Sequence, residues 1–196
     1  MIVTKRKQTQ MDANKYILIG IPNCGKSTLG RRAADALGWP FYDTDLMACE
    51  KLGIRNALDQ FRAAFNGSIM TAQRAAVIEL AGLNSAAVIA TGAEVALMPG
   101  CATQLRRMGA IIHIRREQEH ILSNMANDGE PRLVLRNNTD GTEVVMREEA
   151  VKLYARELSQ YEVLADWTLD NNESEDAGLE KLIALINDLE IKSTQP

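Results

Sequence analysis

The chain has 196 residues, of which 46% are hydrophobic and 24% are charged, a balance typical of one globular α/β domain with a buried core. Its formal net charge of −4 argues against a dedicated nucleic-acid binder, which usually carries a basic face. No run approaches the roughly 18 apolar residues of a membrane span, so we expect no membrane partner. The three cysteines lack CxxC spacing, which favours reduced thiols in a cytoplasmic protein over a disulfide framework or a zinc site.

The first part of the chain contains a candidate phosphate-binding loop. Residues 1–14 carry a basic cluster with no apolar stretch after it, and we interpret them as a mobile extension. The run KYILIG (15–20) predicts a buried strand, and KSTLGRRAADALG (26–38) predicts a helix. Between them lies "GIPNCGKS", in which four residues separate Gly20 from the sequence Gly25-Lys26-Ser27. A glycine loop between a strand and a helix is the arrangement that holds nucleotide phosphates.

The residue types in this loop fit that chemistry. Backbone N–H groups of a tight loop, together with the positive end of a helix, hold a polyphosphate at close range. Lys26 is expected to reach the β- and γ-phosphates, and the Ser27 hydroxyl is expected to bind Mg²⁺. Asn23 tolerates left-handed backbone angles where a further glycine often stands. Cys24 is interpreted first as a small filler residue within the loop.

The next run, WPFYDTD (39–45), predicts a second strand that ends in two acids, Asp43 and Asp45. Polar residues at the carboxyl ends of parallel strands face the ligand crevice. One acid can hold the Mg²⁺ shell, and the other can orient or deprotonate an acceptor hydroxyl. The alternative is an ordinary solvated turn.

The remainder of the chain continues the alternation of strands and helices. Helical patterns fall at 46–53, 56–65, 68–83, 100–109, 117–128, 143–165 and 177–190, and strand patterns fall at 86–92, 110–117 and 167–170. Near-continuous apolar strands that alternate with helices predict a parallel sheet covered on both faces.

These pieces together resemble the shikimate kinase family of small P-loop kinases. The matching runs are GIPNCGKSTLGRRAADALGWPFYDTD, VIATG (88–92), ILSNMANDGEPRLVL and YEVLAD (161–166), in the family's order. The resemblance implies a P-loop NTPase-type three-layer sandwich with a five-stranded parallel sheet. It also implies ATP and Mg²⁺, phosphoryl transfer to a hydroxyl of a small acceptor, and a closing lid. Residues 15–190 would form one kinase domain with the lid around 128–140, and 191–196 would form a tail.

The resemblance also implies roles for individual residues. The ATP-binding loop would comprise Gly20, Asn23, Cys24, Gly25, Lys26, Ser27 and Thr28. Ser27 and Asp43 would serve Mg²⁺, while Asp45 would meet the acceptor hydroxyl. In the lid, Arg132 is the candidate for neutralising the transferring phosphoryl group, as Lys26 does from the loop.

The expected acceptor pocket departs from the family pattern. A Phe-Arg pair is expected near 70–71, where this chain has Met70 and Thr71, although Arg74 lies one helical turn further on. The expected glycine triplet reads Gly92-Ala93-Glu94. These differences leave Asp45, Gly92 and Arg74 as expected acceptor contacts, with Arg156 as the fourth.

Arg156 is itself displaced from the family position. An arginine is expected four residues before Tyr161, but that position is Glu157, with Arg156 beside it. One residue turns a helical side chain by about 100°, so Arg156 is expected to point elsewhere unless the helix is locally offset.

The leading hypothesis is a cytoplasmic, Mg²⁺-dependent kinase, a monomer or weak homodimer, that phosphorylates shikimate or another hydroxylated small molecule. Two alternatives stay open from the sequence. One is a nucleotide-binding module of the same fold that has lost phosphoryl transfer, and the other is a kinase for a nucleoside or a sugar acid.

Overall fold

A computed structural model describes residues 15–55, 67–121 and 143–193, and its centre is a sheet of five parallel strands. The strands are β1 (Lys15–Ile19), β2 (Phe41–Asp43), β3 (Ala87–Ala90), β4 (Gly109–Arg115) and β5 (Trp167–Asp170). Their order across the sheet is β2-β3-β1-β4-β5, and every neighbouring pair is parallel. The expected five-stranded parallel sheet is confirmed.

Helices connect the strands and cover the sheet. They are α1 (Lys26–Leu37), α2 (Thr44–Leu52), α3 (Ser68–Ala81), α4 (Ala93–Leu97), α5 (Pro99–Met108), α6 (Glu143–Leu164) and α7 (Glu175–Ser193). Helix α1 packs against α7, and α5 packs against α3 and α4. Within the three described ranges, no helix is both long enough and apolar enough to cross a membrane.

The core forms around β1, which lies in the middle of the sheet. Ile17, Leu18 and Ile19 are completely buried, as are the facing residues of β3 and β4. This explains why the strands read as continuous apolar runs, because helices remove water from both faces of a parallel sheet. Since parallel strands end at the same edge, the residues that follow β1, β2, β3 and β5 meet there.

Three predictions about the elements differ from the structure. The second strand ends at Asp43 instead of continuing to Asp45, because the Asp43 side chain accepts hydrogen bonds from the first turn of α2 and caps that helix. Asp45 therefore lies on a helix rather than at a strand end. Residues 93–97, for which no helix was predicted, form the short helix α4. Helix α7 also continues three residues into the predicted tail.

Several predictions lie outside the described residues. They concern the extension 1–14, the helix 56–65, the lid 128–140 with Arg132, and the end of the tail.

Candidate active site

The loop between β1 and α1 has the backbone of a phosphate-binding turn. Gly20 and Gly25 have φ angles of 145° and 100°, and Asn23 has a φ of 63°, as its tolerance of left-handed angles led us to expect. A Cβ on Gly20 would lie 2.6 Å from the carbonyl oxygen of Ile114, so the loop packs too closely on β4 for any other residue. Gly25 is the N-cap of α1 and supplies no side chain to the helix N-terminus.

Lys26 is held inside this loop. Lys26 is only 8% exposed, and its Nζ donates hydrogen bonds of 2.8 Å to the carbonyl oxygens of Gly20 and Ile21. The first turn of α1 contains no acidic residue. The ammonium and the positive end of the α1 dipole therefore act together on the same space, which favours an anion there.

Cys24 and Asn171 fix the loop from behind. Cys24 is fully buried, and its Sγ lies 3.8 Å from Lys26 Nζ, in agreement with its interpretation as a filler residue. Asn171, buried just after β5, donates a hydrogen bond of 2.8 Å from Nδ2 to the Cys24 carbonyl oxygen. Our reading of the sequence missed Asn171, although a polar residue directly after a parallel strand is a signal for this edge.

A cavity of about 200 Å³ opens beside the same loop. Its lining residues are Asn23, Gly25, Thr28, Leu29, Arg116, Asn171 and Glu175. Thr28 faces this space from the exposed start of α1. The cavity adds a mostly polar surface next to the glycine loop, where the sugar and base of a nucleotide could lie.

The two residues expected to serve Mg²⁺ are in contact. Ser27 Oγ donates a hydrogen bond of 2.6 Å to Asp43 Oδ2. The other carboxylate oxygen of Asp43 accepts a bond of 2.9 Å from the Asp45 backbone N–H, so the carboxylate is fixed in orientation. Hydroxyl and carboxylate oxygens are the ligands that Mg²⁺ prefers, and both stand at the mouth of the loop. The donor set therefore fits the ion.

Asp45 lies close enough to Lys26 for the ammonium charge to act on its pKa, and its environment differs from that of Asp43. Its carboxylate accepts a hydrogen bond from Gln73 of α3 and lies against Gly92, where any Cβ would collide with it. Although Asp45 has an open path to solvent, the surrounding protein removes part of its hydration and raises its pKa, and the charge of Asp43 adds to that effect. Gln73 is a further contact that the sequence did not identify.

Gly92 is held close to the acids by its own backbone. Its N–H donates a hydrogen bond of 2.8 Å to the hydroxyl of Thr44, a residue with no exposed surface. This bond ties the end of β3 to the start of α2. Asp45 and Gly92, predicted as acceptor contacts, are therefore brought together.

Among the contacts of the described residues, neither expected acceptor arginine touches Asp45 or Gly92. Arg74 is exposed, with Nη2 about 3.8 Å from the position of a Cβ on Gly100, near the start of α5. Arg156 is also exposed, as the helical phase indicated, and its Nη2 lies 3.7 Å from Glu157 Oε1. The buried residue of that pair is Glu157. Acceptor binding by either arginine stays a prediction.

The buried side of α6 also contacts β4. Tyr161 is fully buried, and its ring lies 5.5 Å from that of His113. Burial lowers the pKa of His113 to about 4, with Arg115 and Lys26 adding repulsion. His113 is therefore neutral at pH 7, and its Nδ1 has no hydrogen-bond partner among the described residues.

Comparisons with known proteins agree with this geometry. The sequence model of a family described as shikimate kinase matches residues 22–187. A shikimate kinase of Syntrophus aciditrophicus is 30% identical over 173 residues, which cover 85% of this chain and 87% of the relative. A shikimate kinase of Paracidovorax citrulli is 36% identical over 115 residues, 57% of this chain and 61% of the relative.

A solved structure extends the likeness to the fold. The shikimate kinase of Acinetobacter baumannii, in complex with shikimate, superposes with a TM-score of 0.76 at 21% identity, covering 94% of this chain and 96% of the other. At that identity the superposition supports the fold alone. Since the family match spans most of the chain and the residues of the phosphate loop stand in the expected order, this protein belongs to the shikimate kinase family and is a small-molecule kinase.

Proposed function

We propose that this chain transfers the γ-phosphoryl group of ATP to a hydroxyl of shikimate or of a related hydroxylated small molecule. The observation that carries the proposal is the pairing of a buried Lys26 ammonium, inside a glycine loop, with the Ser27–Asp43 contact. Asp45 stands at the same edge of the sheet, where an acceptor would meet the phosphate chain.

The loop would bind the donor nucleotide. Backbone N–H groups of residues 20–28 and the N-terminus of α1 would surround the β- and γ-phosphates. Lys26 would exchange a bond with a loop carbonyl for a bond with a phosphate oxygen. Ser27 and Asp43 would hold Mg²⁺, which when bound neutralises charge on the phosphates.

Asp45 would position and deprotonate the acceptor. In the transfer, the bond from the γ-phosphorus to the bridging β–γ oxygen breaks, and a new bond forms from the phosphorus to the acceptor oxygen. The hydroxyl proton passes to the Asp45 carboxylate, and ADP leaves with the bridging oxygen. The raised pKa of Asp45 makes its carboxylate a stronger base, and Gln73 holds it in place.

The rest of the proposal concerns the setting of the reaction. We expect a cytoplasmic enzyme that binds the small acceptor in addition to MgATP and has no nucleic-acid or membrane partner. We expect it to act as a monomer or a weak homodimer. The chain's negative net charge offers nucleic acid no general attraction.

A second candidate is a nucleotide-binding module without transfer activity. Glu94 and Glu157 favour it, because Glu94 follows Gly92 by two residues and Glu157 is joined through Tyr161 to Ala93, so both acids would oppose an anionic acceptor near Gly92. The two candidates differ in whether an acceptor accelerates ADP formation.

The experiment measures ADP release by the full chain with MgATP, alone and with each member of a panel of hydroxylated acids, polyols, sugars and nucleosides. Stimulation by at least one member, with a phosphorylated product identified by mass spectrometry, is expected. Tight MgATP binding without stimulation by any of them would support the module instead.

A further inference from the structure

We propose that the acceptor subsite favours a substituent that donates hydrogen bonds, a hydroxyl or a protonated amine, over a carboxylate. The inference rests on the proposed function and narrows its acceptor class. The feature that carries it is Glu157, which lies on the inner side of α6 and is only 3% exposed.

Glu157 is short of hydrogen-bond donors. The Tyr161 hydroxyl lies 3.3 Å from Glu157 Oε2, but it lies closer, at 3.0 Å, to the carbonyl oxygen of Ala93. A hydroxyl has one proton, so it cannot donate to both acceptors, and the carbonyl has the shorter contact. Within the described part of the chain, Glu157 receives no other hydrogen bond.

The nearest cation satisfies Glu157 poorly. Arg156 Nη2 is 3.7 Å from Glu157 Oε1, which is beyond hydrogen-bond distance, and the arginine side chain is 69% exposed. Because its guanidinium stays in water and too far away to donate, Arg156 leaves the buried carboxylate without a hydrogen bond from a cation. A buried carboxylate that lacks donors is costly, so a ligand that supplies them gains from the contact.

The position of Glu157 links it to the acceptor side of the site. Through Tyr161 it is joined to Ala93, the residue after Gly92, which lies against Asp45. Its carboxyl group is close enough to Glu94 and Lys26 for their charges to act on its pKa, which burial raises. From these links we infer that Glu157 belongs to the acceptor side of the site, near Glu94 and Asp45, with Lys26 on the phosphate side.

A carboxylate on the acceptor would add a negative charge to this wall. It would face Glu157 and Glu94, while Lys26 is engaged with the phosphates. A hydroxyl or ammonium group at the same place would instead donate to Glu157. Glu157 and Glu94 would thus distinguish between two acceptors that have the same ring and differ only in this substituent.

The experiment uses three acceptors with the same ring and the same hydroxyl groups. They are shikimate, which bears a carboxylate, and two analogues in which that group is replaced by hydroxymethyl or by aminomethyl. For each, kcat/KM is measured at saturating MgATP with the wild-type chain, Glu157→Gln and Glu162→Gln. Glu162 is an exposed residue of the same helix, so its variant removes the same charge from outside the cleft.

We expect wild-type kcat/KM for at least one analogue to exceed that for shikimate tenfold or more. Glu157→Gln should reduce this ratio at least tenfold, mainly by lowering KM for shikimate, and Glu162→Gln should leave it unchanged. If Glu157→Gln does not fold, the ratio of wild-type kcat/KM values for the analogues and for shikimate still tests the inference.

A wild-type preference for shikimate over both analogues would overturn the inference and leave the proposed function intact. An unchanged ratio in folded Glu157→Gln would also overturn it. If MgATP binds but none of the three, nor any member of the wider panel, stimulates ADP release, the proposed function fails and the inference fails with it.

Discussion

Asp43 and Asp45 are two residues apart, and their surroundings give them different tasks. Asp43 is fixed by the Ser27 hydroxyl and by backbone N–H groups, so both its oxygens are already bonded. Asp45 has one side-chain partner, Gln73, and a route to solvent. Of the two acids, Asp45 is therefore the one that we propose as the proton acceptor for an incoming hydroxyl.

This difference predicts the behaviour of Asp45→Asn. We expect kcat to fall by roughly 10²–10⁴, because the amide cannot accept the proton in transfer. The dissociation constant of MgATP should stay within about twofold, since Asp45 does not contact the loop. Asp35→Asn, an exposed change on α1, is the control, and ADP-release kinetics with calorimetric titration make the measurement. Loss of both turnover and MgATP binding would show that Asp45 belongs to the nucleotide site.

His113 predicts a pH dependence of stability. Its pKa of about 4 in the fold lies below the unfolded value near 6.5, so the unfolded chain binds the proton first as pH falls. The stability that neutral His113 contributes is complete above pH 6.5 and is lost toward pH 4, by up to about 3 kcal/mol. The groups around it are Arg115, Lys26, Asp170 and Tyr161.

The measurement is urea unfolding at several pH values for the wild type and His113→Phe, which keeps a ring against Tyr161. The variant should lose less stability between pH 6.5 and 4 than the wild type. Identical pH profiles would mean that His113 titrates normally in the fold. Asp45 and Glu157 have raised pKa values, so their effect on stability as pH falls has the opposite sign to that of His113. Both acids are present in the two proteins, so their effect cancels in the comparison.

At the scale of elements, the phosphate loop depends on β5 as well as on β1. Asn171, which follows β5, holds the Cys24 carbonyl, and a Cβ on Gly25 would lie 2.6 Å from its Nδ2. The loop conformation is thus set by a residue 147 positions away in sequence.

Asn171→Ala should loosen this contact and weaken MgATP binding about tenfold, as loss of one buried hydrogen bond costs about 1–2 kcal/mol. The neighbouring Asn172→Ala removes a half-exposed side chain that accepts a hydrogen bond from the Glu117 backbone, and should leave MgATP affinity unchanged. Calorimetry on both variants is the test, with a melting curve to confirm folding. Equal affinities for the two variants would contradict a role for β5 in shaping the loop.

The sequence predicted the elements whose signals are local. Apolar runs located all five strands, and the loop spacing identified Lys26 and Ser27, because one strand–loop–helix unit contains every residue involved. The end of β2 was misplaced because a side-chain cap at Asp43, invisible in the apolar pattern, starts the helix early. Helix α4 has only five residues, too few to show the helical periodicity of apolar side chains in the sequence.

The contacts made between distant elements were not predictable. Gln73 reaches Asp45 across 28 residues, and nothing in the sequence of α3 marks it. On α6 the helical phase indicated that Arg156 would turn away, and the structure agrees, but only the packing against β4 identifies Glu157 as buried. Tertiary neighbours decide which side of a helix meets the site.

At the scale of the whole molecule, the strand order explains why one edge holds both halves of the site. With β1 between β3 and β4, the loop after β1 lies beside the Gly92 turn after β3. Asp43, at the end of β2, contacts Ser27 of this loop, and Asp45 follows it on α2 and contacts Gly92. The proposed nucleotide half keeps the expected residues, whereas the proposed acceptor half has the carboxylates of Glu94 and Glu157 where the family pattern has none. We infer that the family fold fixes phosphoryl transfer and leaves the acceptor wall open to change.

The central claim is that the glycine loop, Lys26 and Ser27 bind the phosphates of MgATP. Calorimetric titration of the wild type, Lys26→Met and Lys51→Met tests it, Lys51 being an exposed lysine of α2. We predict one MgATP site in the wild type and in Lys51→Met, and affinity at least a hundredfold weaker in Lys26→Met. Absence of binding heat in the wild type at several temperatures, or equal affinity in all three proteins, would contradict the account.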